Sequence, residues 1–178
     1  MKSSVYVATS LDGYIARENG ALDWLPQPEE DKTNGEDYGF KEFFNSVDAL
    51  IMGRNTYEMV RSFKKWPYET KRVIVLSSNQ IKIPDELSEV IENRSCSPAD
   101  LIEELEKDGV DRIYIDGGKT IQGFLNAGLI DEIIITRIPI LIGQGIPLFG
   151  KLDKDIELRH INTQSFENGI VQSKYEVI

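Results

Sequence analysis

The densest chemistry in this 178-residue chain sits in two runs, Ala49-Leu50-Ile51-Met52-Gly53-Arg54-Asn55-Thr56-Tyr57-Glu58 and Ile113-Tyr114-Ile115-Asp116-Gly117-Gly118-Lys119-Thr120. In each, apolar residues of strand character run into glycine, then into amide, hydroxyl and cationic side chains that can open a helix. The first turn of a helix leaves backbone N–H groups unpaired and carries a partial positive charge, so it attracts anions. Glycine lets such a group approach without a Cβ in the way. Two junctions of this kind suit a ligand with two phosphorylated ends. Taken singly, each has a plainer reading: a tight strand-to-helix turn for Gly117-Gly118, and for Arg54 an ion pair with Glu58 four residues on.

The elements that must hold these junctions follow from periodicity. Val5 to Thr9 is β-prone, and Ser10-Leu11-Asp12-Gly13 turns it toward a short apolar piece, Tyr14-Ile15-Ala16. Arg17 to Gly35 has loop chemistry, with Gly20, Pro26, Pro28 and several acids. Phe40, Phe43, Phe44 and Val47 recur at three- and four-residue spacing, which predicts a helix from about Gly35 to Ser46. Strands are expected at Asp48 to Met52, Lys71 to Ser78, Arg112 to Asp116 and Glu132 to Ile138. Helices are expected at Asn55 to Ser62, after the Ser97-Pro98 start as far as Gly109, and at Thr120 to Ala127. This alternation predicts an α/β chain with a mainly parallel sheet. Asp155 to Thr163 and Ile170 to Val177 then read as an antiparallel hairpin. No repeat or linker interrupts residues 1–178, so a single domain is expected.

Charge narrows the ligand. Twenty Lys and Arg against thirty Asp and Glu give a formal charge of −10, which disfavours nucleic acid and anionic membranes as partners. Phosphate must then be held by local geometry. One cysteine, Cys96, and one histidine, His160, cannot build a familiar zinc site, and no metal is expected. Packing accounts for Cys96 and strand surface for His160. The N-terminus reaches Asp12 too soon for a signal peptide, and no apolar run is long enough to cross a bilayer, so a cytoplasmic protein is expected.

Two common nucleotide motifs are absent. Gly143-Gln144-Gly145-Ile146-Pro147-Leu148 lacks the third glycine of the dinucleotide fingerprint, and Gly117-Gly118-Lys119-Thr120 lacks the upstream glycine of a P-loop. In order and spacing, however, Tyr6-Val7-Ala8-Thr9, Met52-Gly53-Arg54-Asn55-Thr56-Tyr57-Glu58, Val73-Ile74-Val75-Leu76-Ser77-Ser78, Ile113 to Thr120 and Ile133 to Ile138 resemble the dihydrofolate reductase fold. The resemblance spans nearly the whole chain. It implies a three-layer α/β/α arrangement with a mostly parallel central sheet, an antiparallel C-terminal hairpin, and NADPH as cofactor.

Carried over residue by residue, the resemblance assigns Arg54, Ser77 and Ser78 to the 2′-phosphate, with Gly53 and Leu76 at the same strand ends and Asn55 and Thr56 at the pyrophosphate. Asp116, Gly117, Gly118, Lys119, Thr120 and Ile121 would hold its other side, and Ala8, Ile15, Asn19 and Gly20 would flank the nicotinamide. Cationic and hydroxyl groups in place of an acid favour NADP over NAD, because a carboxylate repels the extra phosphate. Asp37 meets the position of the catalytic carboxylate. In an apolar cleft it would hold a proton near neutral pH; a solvated helix start is the other reading. Trp24 and Phe40 are candidates to line a pocket for a flat acceptor.

Within that fold, Ser10-Leu11-Asp12-Gly13-Tyr14-Ile15-Ala16 and Ile138-Pro139-Ile140-Leu141-Ile142-Gly143-Gln144-Gly145-Ile146-Pro147-Leu148-Phe149 look like the reductase domain of riboflavin-biosynthesis deaminase/reductases. Lys71 stands where folate reductases place an arginine for the substrate carboxylate, and lysine is not a bidentate fork. The expected activity is hydride transfer from NADPH to a small heterocycle, as in 5-amino-6-(5-phosphoribosylamino)uracil reductase. Dihydrofolate reduction and a non-catalytic NADP(H)-binding module are the alternatives. Relatives of this type pair as homodimers near Ile138 to Phe149, and a homodimer is expected here.

Overall fold

The computed structural model describes residues 1–26 and 36–178. Its elements, in chain order, are β1 (Lys2–Ser10), β2 (Tyr14–Ala16), α1 (Phe40–Asn45), β3 (Ala49–Gly53), α2 (Arg54–Arg61), β4 (Arg72–Leu76), β5 (Ile91–Arg94), α3 (Pro98–Lys107), β6 (Arg112–Asp116), α4 (Gly118–Asn126), β7 (Glu132–Ile138), β8 (Ile146–Pro147), β9 (Leu158–Ser165) and β10 (Val171–Val177). Among the described residues, eight strands form one sheet in the order β5-β4-β3-β6-β1-β7-β10-β9, and β2 pairs with β8 in a separate ribbon. β5 through β7 are mutually parallel, while β10 runs antiparallel to both β7 and β9.

Strand alternation divides the interior into two layers, since successive side chains leave opposite faces. On one face Val5, Val7, Ala49, Ile51, Ile74, Ile113, Ile115, Ile133 and Ile135 meet Leu101 and Leu105 of α3 and Ile121, Phe124 and Leu125 of α4. On the other, Tyr6, Leu50, Met52, Val73, Val75, Tyr114 and Ile134 meet Phe43 of α1 and Tyr57 and Val60 of α2. The near-continuous apolar strands are what a sheet covered on both faces requires. Each fully buried Leu, Ile or Phe contributes roughly 1.5–3 kcal/mol relative to exposure, so the central strands anchor whatever lies at their ends.

At the amino end of the sheet, Glu132 is almost fully buried and takes Lys2 Nζ at 2.6 Å and Lys174 Nζ at 2.8 Å. One carboxylate thereby ties β7 to both its neighbours, β1 and β10. Burial by itself would raise its pKa, but the hydrogen bonds from Lys174 and Lys2 outweigh that and hold it below its ordinary value.

Several sequence expectations shift. The first helix starts at Phe40, because Gly39 before it is left-handed (φ 84°) and turns the chain into the helix; position 35 lies outside the described residues. α4 begins at Gly118, two residues before the expected Thr120. α3 matches the capping signal: Ser97 accepts the Asp100 N–H, with Pro98 at the first position. The expectation that Cys96 packs inside is corrected, since the residue is exposed just ahead of α3. His160 is on exposed strand surface, as expected. No helix among the described residues is long and apolar enough to cross a membrane.

Candidate functional site

β3 and β6 are neighbours, yet the helices that follow them leave to opposite faces of the sheet, α2 to one layer and α4 to the other. Such a divergence opens a crevice at the carboxyl ends of parallel strands, where ligands of open α/β sheets bind. Register places the sequence-predicted residues there. Met52 is level with Asp116, and Gly53 with Leu76, so Gly53-Arg54, Leu76-Ser77-Ser78 and Gly117-Gly118 share one rim.

Neither α2 nor α4 receives a side-chain cap; glycine occupies both N-cap positions, whereas α3 is capped by Ser97. The two junctions also touch. A Cβ on Gly53 would come within 2.9 Å of Thr120 Oγ1, and one on Gly117 would overlap Thr56 Oγ1 outright. Gly117 moreover has φ 89°, which L side chains rarely adopt. Each helix start therefore presses a threonine onto the other junction's glycine. Gly118 faces the β2–β8 ribbon, where its Cβ would meet Ile15 Cδ1 and the Pro147 carbonyl at 3.1 Å. Lys119 is exposed at the rim. Ile121 requires a correction: its side chain is fully buried in the α3/α4 layer and its N–H donates to the Gly117 carbonyl, so it supports the helix without facing the crevice.

The ribbon joins two sequence motifs into one unit. Asp12 accepts from Gly143 N at 2.8 Å and Ile142 N at 3.3 Å, Leu11 N donates to the Ile140 carbonyl, and Leu148 N donates to the Gly13 carbonyl. A hydrogen bond with the Ser10 hydroxyl, and then those N–H groups, hold the Asp12 carboxylate below its ordinary pKa.

On the outer side, Arg54 and Asn55 are exposed, and Arg54 Nε lies 3.8 Å from Glu58, so the ion pair read from spacing forms only loosely. The Ser77 hydroxyl is engaged in its own turn, donating to the Asn79 carbonyl at 2.7 Å, while Ser78 is exposed. Asn93 on β5 organises this rim: its amide donates to the Val75 and Ser77 carbonyls and its oxygen accepts from Ile81 N. Sequence reading missed both β5 and Asn93. The short Ile91–Arg94 strand, IENR, has one apolar residue and gives no periodic signal.

Two carboxylates exchange standing. Asp37 is exposed and accepts from Gly39 N at 2.9 Å and Lys41 N at 3.0 Å, so it shapes the entry to α1 and does not sit in an apolar cleft. Asp116, assigned from sequence only to the cofactor cradle, has its carboxylate withdrawn from water at the crevice. Desolvation raises its pKa to about 6, opposed in part by the Gly117 N–H at 2.8 Å and by the Tyr114 hydroxyl. Tyr68 feels the same charge: burial, and then Asp116, push its phenol up.

Phe40 packs edge-on to Tyr6, with centroids 5.5 Å apart, and to Tyr114 at 6.4 Å, which puts it in the aromatic layer behind Asp116. Tyr6 donates to the Tyr38 carbonyl, and Gln172 donates to Tyr6, to the same carbonyl and to Thr136, each at 2.9 Å. Trp24 is buried against Ile138 and Ile170, a position that makes it an anchor for its loop, and its indole N–H has no partner among the described residues. Ala8 is half-buried on β1, beyond the level of Asp116. Asn19 accepts from Ala21 N in a tight turn, and Gly20, at φ 83°, borders a cleft of about 550 Å³. That cleft runs between Gly20, Leu22 and Leu25 on one wall and Met59, Ser62 and Phe63, at the end of α2, on the other. Lys71 donates to the Val47 carbonyl at 2.5 Å and lies over the Phe44 ring.

Comparison with known proteins gives this geometry a context. Residues 4–172 match the RibD C-terminal domain family. The uncharacterized protein YwjB of Bacillus subtilis is 36% identical over 172 residues, 95% of this chain and 94% of its own length. A crystal structure of a Shewanella sp. PV-4 protein, provisionally assigned to riboflavin biosynthesis, superposes with a TM-score of 0.90 at 41% identity, covering 100% of this chain and 99% of that one. The diaminohydroxyphosphoribosylaminopyrimidine deaminase/5-amino-6-(5-phosphoribosylamino)uracil reductase of Thermotoga maritima shares the fold, with a TM-score of 0.75 at 14% identity. The superposition covers 99% of this chain but 56% of that protein. The dihydrofolate reductase-like α/β fold implied by the sequence motifs is thus the fold observed.

Proposed function

Since the chain belongs to the RibD C-terminal domain family, we propose that it is an NADPH-dependent reductase that transfers a hydride to a small heterocyclic acceptor. One observation carries the reading: two helix N-termini, both capped by glycine, meet at the divergence of β3 and β6, and a Cβ on either glycine would collide with the opposite threonine. Unpaired N–H groups and a bare backbone are what a pyrophosphate needs. The donor set fits the cofactor. Gly53, Asn55 and Thr56 would face the pyrophosphate from α2, and Gly117, Gly118 and Thr120 from α4. Arg54 and Ser78, exposed on the neighbouring rim, would receive a 2′-phosphate, whose two charges Arg54 would meet in a fork.

When bound, the dihydronicotinamide supplies the hydride; the chain must supply orientation, dryness and one proton. The β2–β8 ribbon over Gly118, with Ile15 inward, covers the crevice from one side. For the proton, Asp116 is better placed than Asp37: it is desolvated at the strand end, and a pKa of about 6 lets a fraction of molecules hold a proton at neutral pH. Lys71 is tied to a backbone carbonyl and an aromatic face, an arrangement that gives no support to folate tail recognition.

Fluorescence titration with NADPH and NADH tests the reading. Micromolar NADPH binding with weaker NADH is expected, and absence of both at high micromolar concentration would overturn it. Turnover of dihydrofolate, blocked by an antifolate, would move the activity to the folate side. We also propose a homodimer. Leu141 (70% exposed), Ile146 and Phe149 leave apolar surface open on the Ile138 to Phe149 segment, and a monomer by light scattering would exclude that.

A further inference from the structure

We infer that the chain carries a further small-molecule site, for an organic monocarboxylate, in a cleft of about 220 Å³ at the carboxyl ends of β1 and β7. Thr9 to Gly13 border it on one side and Leu148 and Phe149 on the other, with Ile135 and Arg137 of β7 between them. In the sheet, β1 separates β7 from β6, so this cleft stands beside the crevice at β3 and β6 and not within it. Sites for drug-sized ligands span roughly 300–1,000 Å³, so the ligand here is a single ring or a short chain. The walls are held in place before a ligand arrives: Leu148 N donates to the Gly13 carbonyl, and Gln122 of α4 donates to the Pro147 and Leu148 carbonyls, each at 3.2 Å.

Charge and shape set the chemistry. β7 is buried along Glu132–Ile138 except at Arg137. Successive strand residues face opposite ways, so Arg137 leaves β7 on the side of Ile133 and Ile135, and Thr9, its partner in the parallel register, leaves β1 beside it. Thr9 is 3% exposed, so the polar end of the cleft is built into the sheet. The Tyr175 hydroxyl lies 3.5 Å from a terminal nitrogen of Arg137 and, being neutral, leaves the guanidinium charge to a ligand. Asp12, in the bordering turn, is drawn to the Ile142 and Gly143 N–H groups, and the Ser10 hydroxyl accepts the Tyr14 N–H at 3.0 Å, so both serve the turn. A planar guanidinium takes a carboxylate through two parallel hydrogen bonds. Behind it, Leu11 and Phe149 are exposed apolar surface that a ligand's body would cover, next to Leu148 and Ile135. Inorganic phosphate would use the guanidinium and leave those side chains in water, whereas a neutral amide would use the walls and leave the charge. A carboxylate on an apolar body uses both.

Fluorine NMR of the whole protein with 4-fluorobenzoate and 4-fluorobenzamide, with inorganic phosphate and NADP⁺ as competitors, tests the site. Benzoate is expected to bind at about millimolar concentration, at least about tenfold more tightly than the amide, and to be displaced by neither competitor. Arg137→Ala should remove the preference for benzoate, and Arg137→Lys should weaken benzoate by about tenfold, because an ammonium is not a fork. Phe149→Ala should weaken both probes alike. Arg137 is exposed, so its variants should keep the wild-type melting temperature and NADPH affinity. Equal binding of the two probes, a preference that survives Arg137→Ala, or displacement of benzoate by NADP⁺ or phosphate would overturn the inference. Phe149 also belongs to the surface proposed to pair in a homodimer, so light scattering on the same samples is part of the test. A dimer that binds no benzoate would give the cleft to the second copy and overturn the carboxylate site. Failure of NADP⁺ to bind would strike the reductase reading and leave this one standing.

Discussion

The Thr56 hydroxyl stands where a Cβ on Gly117 would have to go, and Thr120 stands 2.9 Å from where one on Gly53 would go. The two strand-to-helix junctions, more than sixty positions apart in sequence, are therefore one interlocked site. Gly117→Ala should cost about 1–3 kcal/mol, from the left-handed backbone and the collision together. In a double-mutant cycle with Thr56→Ala, the loss should be smaller than the sum of the single changes, because the second removes the atom struck by the first. Urea unfolding of the four proteins reads the coupling, and strict additivity would mean that the junctions do not interlock.

Asp116 sets an expected pH dependence. Its folded pKa of about 6 lies above the ordinary 3.8, so the folded state holds a proton that the unfolded chain has released. Stability from this group should be greatest below pH 3.8 and fall as pH rises through about 6. Turnover that needs the protonated acid should decline above the same value, measured as kcat against pH. Asp116→Asn should lose turnover, keep NADPH binding, and flatten the stability change in that window.

Glu132 has the opposite sign. Its folded pKa is depressed by Lys174 and Lys2, so its contribution is present above the ordinary carboxylate pKa of 4.5 and is lost as acid protonates it in the folded state. Glu132→Gln should lower stability at neutral pH by about 1–3 kcal/mol, moderated because both lysines keep partial access to water. The difference from wild type should shrink at low pH in thermal scans. An undiminished difference there would argue for a packing effect in place of the ion pair.

Asp12→Ala should release the 139–149 segment. Without the carboxylate, the Ile142 and Gly143 N–H groups lose their shared acceptor, and the ribbon that carries Ile15 loses its clamp. Faster proteolytic cleavage within this segment, with NADPH binding weakened about tenfold, is expected. Unchanged cleavage would show that the β2–β8 pairing suffices.

Arg54→Ala should reduce NADPH affinity by about tenfold to a hundredfold and leave NADH affinity nearly constant. Its ion pair with Glu58, at 3.8 Å, is exposed, so folding stability should hardly move. Equal losses for both nucleotides would place Arg54 at the pyrophosphate instead of the 2′-phosphate.

Local signals carried the architecture. Uninterrupted β-branched runs specified strands covered on both faces, Ser97-Pro98 specified the start of α3, and apolar-to-glycine transitions located both junctions. These are short-range properties, in which propensity, capping and periodicity act within a turn or a strand. The fold family was legible for the same reason, since the order of such runs survives where side chains differ.

Position across the chain was not legible. Asp37 and Asp116 are the same residue type beside helix starts, yet one is solvated by the entry to α1 and the other is desolvated by Tyr114, Tyr68 and the end of β6. Trp24 and Ile121 read as site residues and their side chains are buried, against Ile138 and Ile170 and in the α3/α4 layer, while Asn93 went unnoticed although its amide holds the Ser77 rim. Sequence by itself determined that two apolar-to-glycine junctions exist and that strands and helices alternate around them. Only the tertiary structure decided that the junctions meet and that Asp116, unlike Asp37, is the desolvated carboxylate beside them. Desolvation and steric exclusion depend on atoms brought together from distant positions, and no local pattern encodes them.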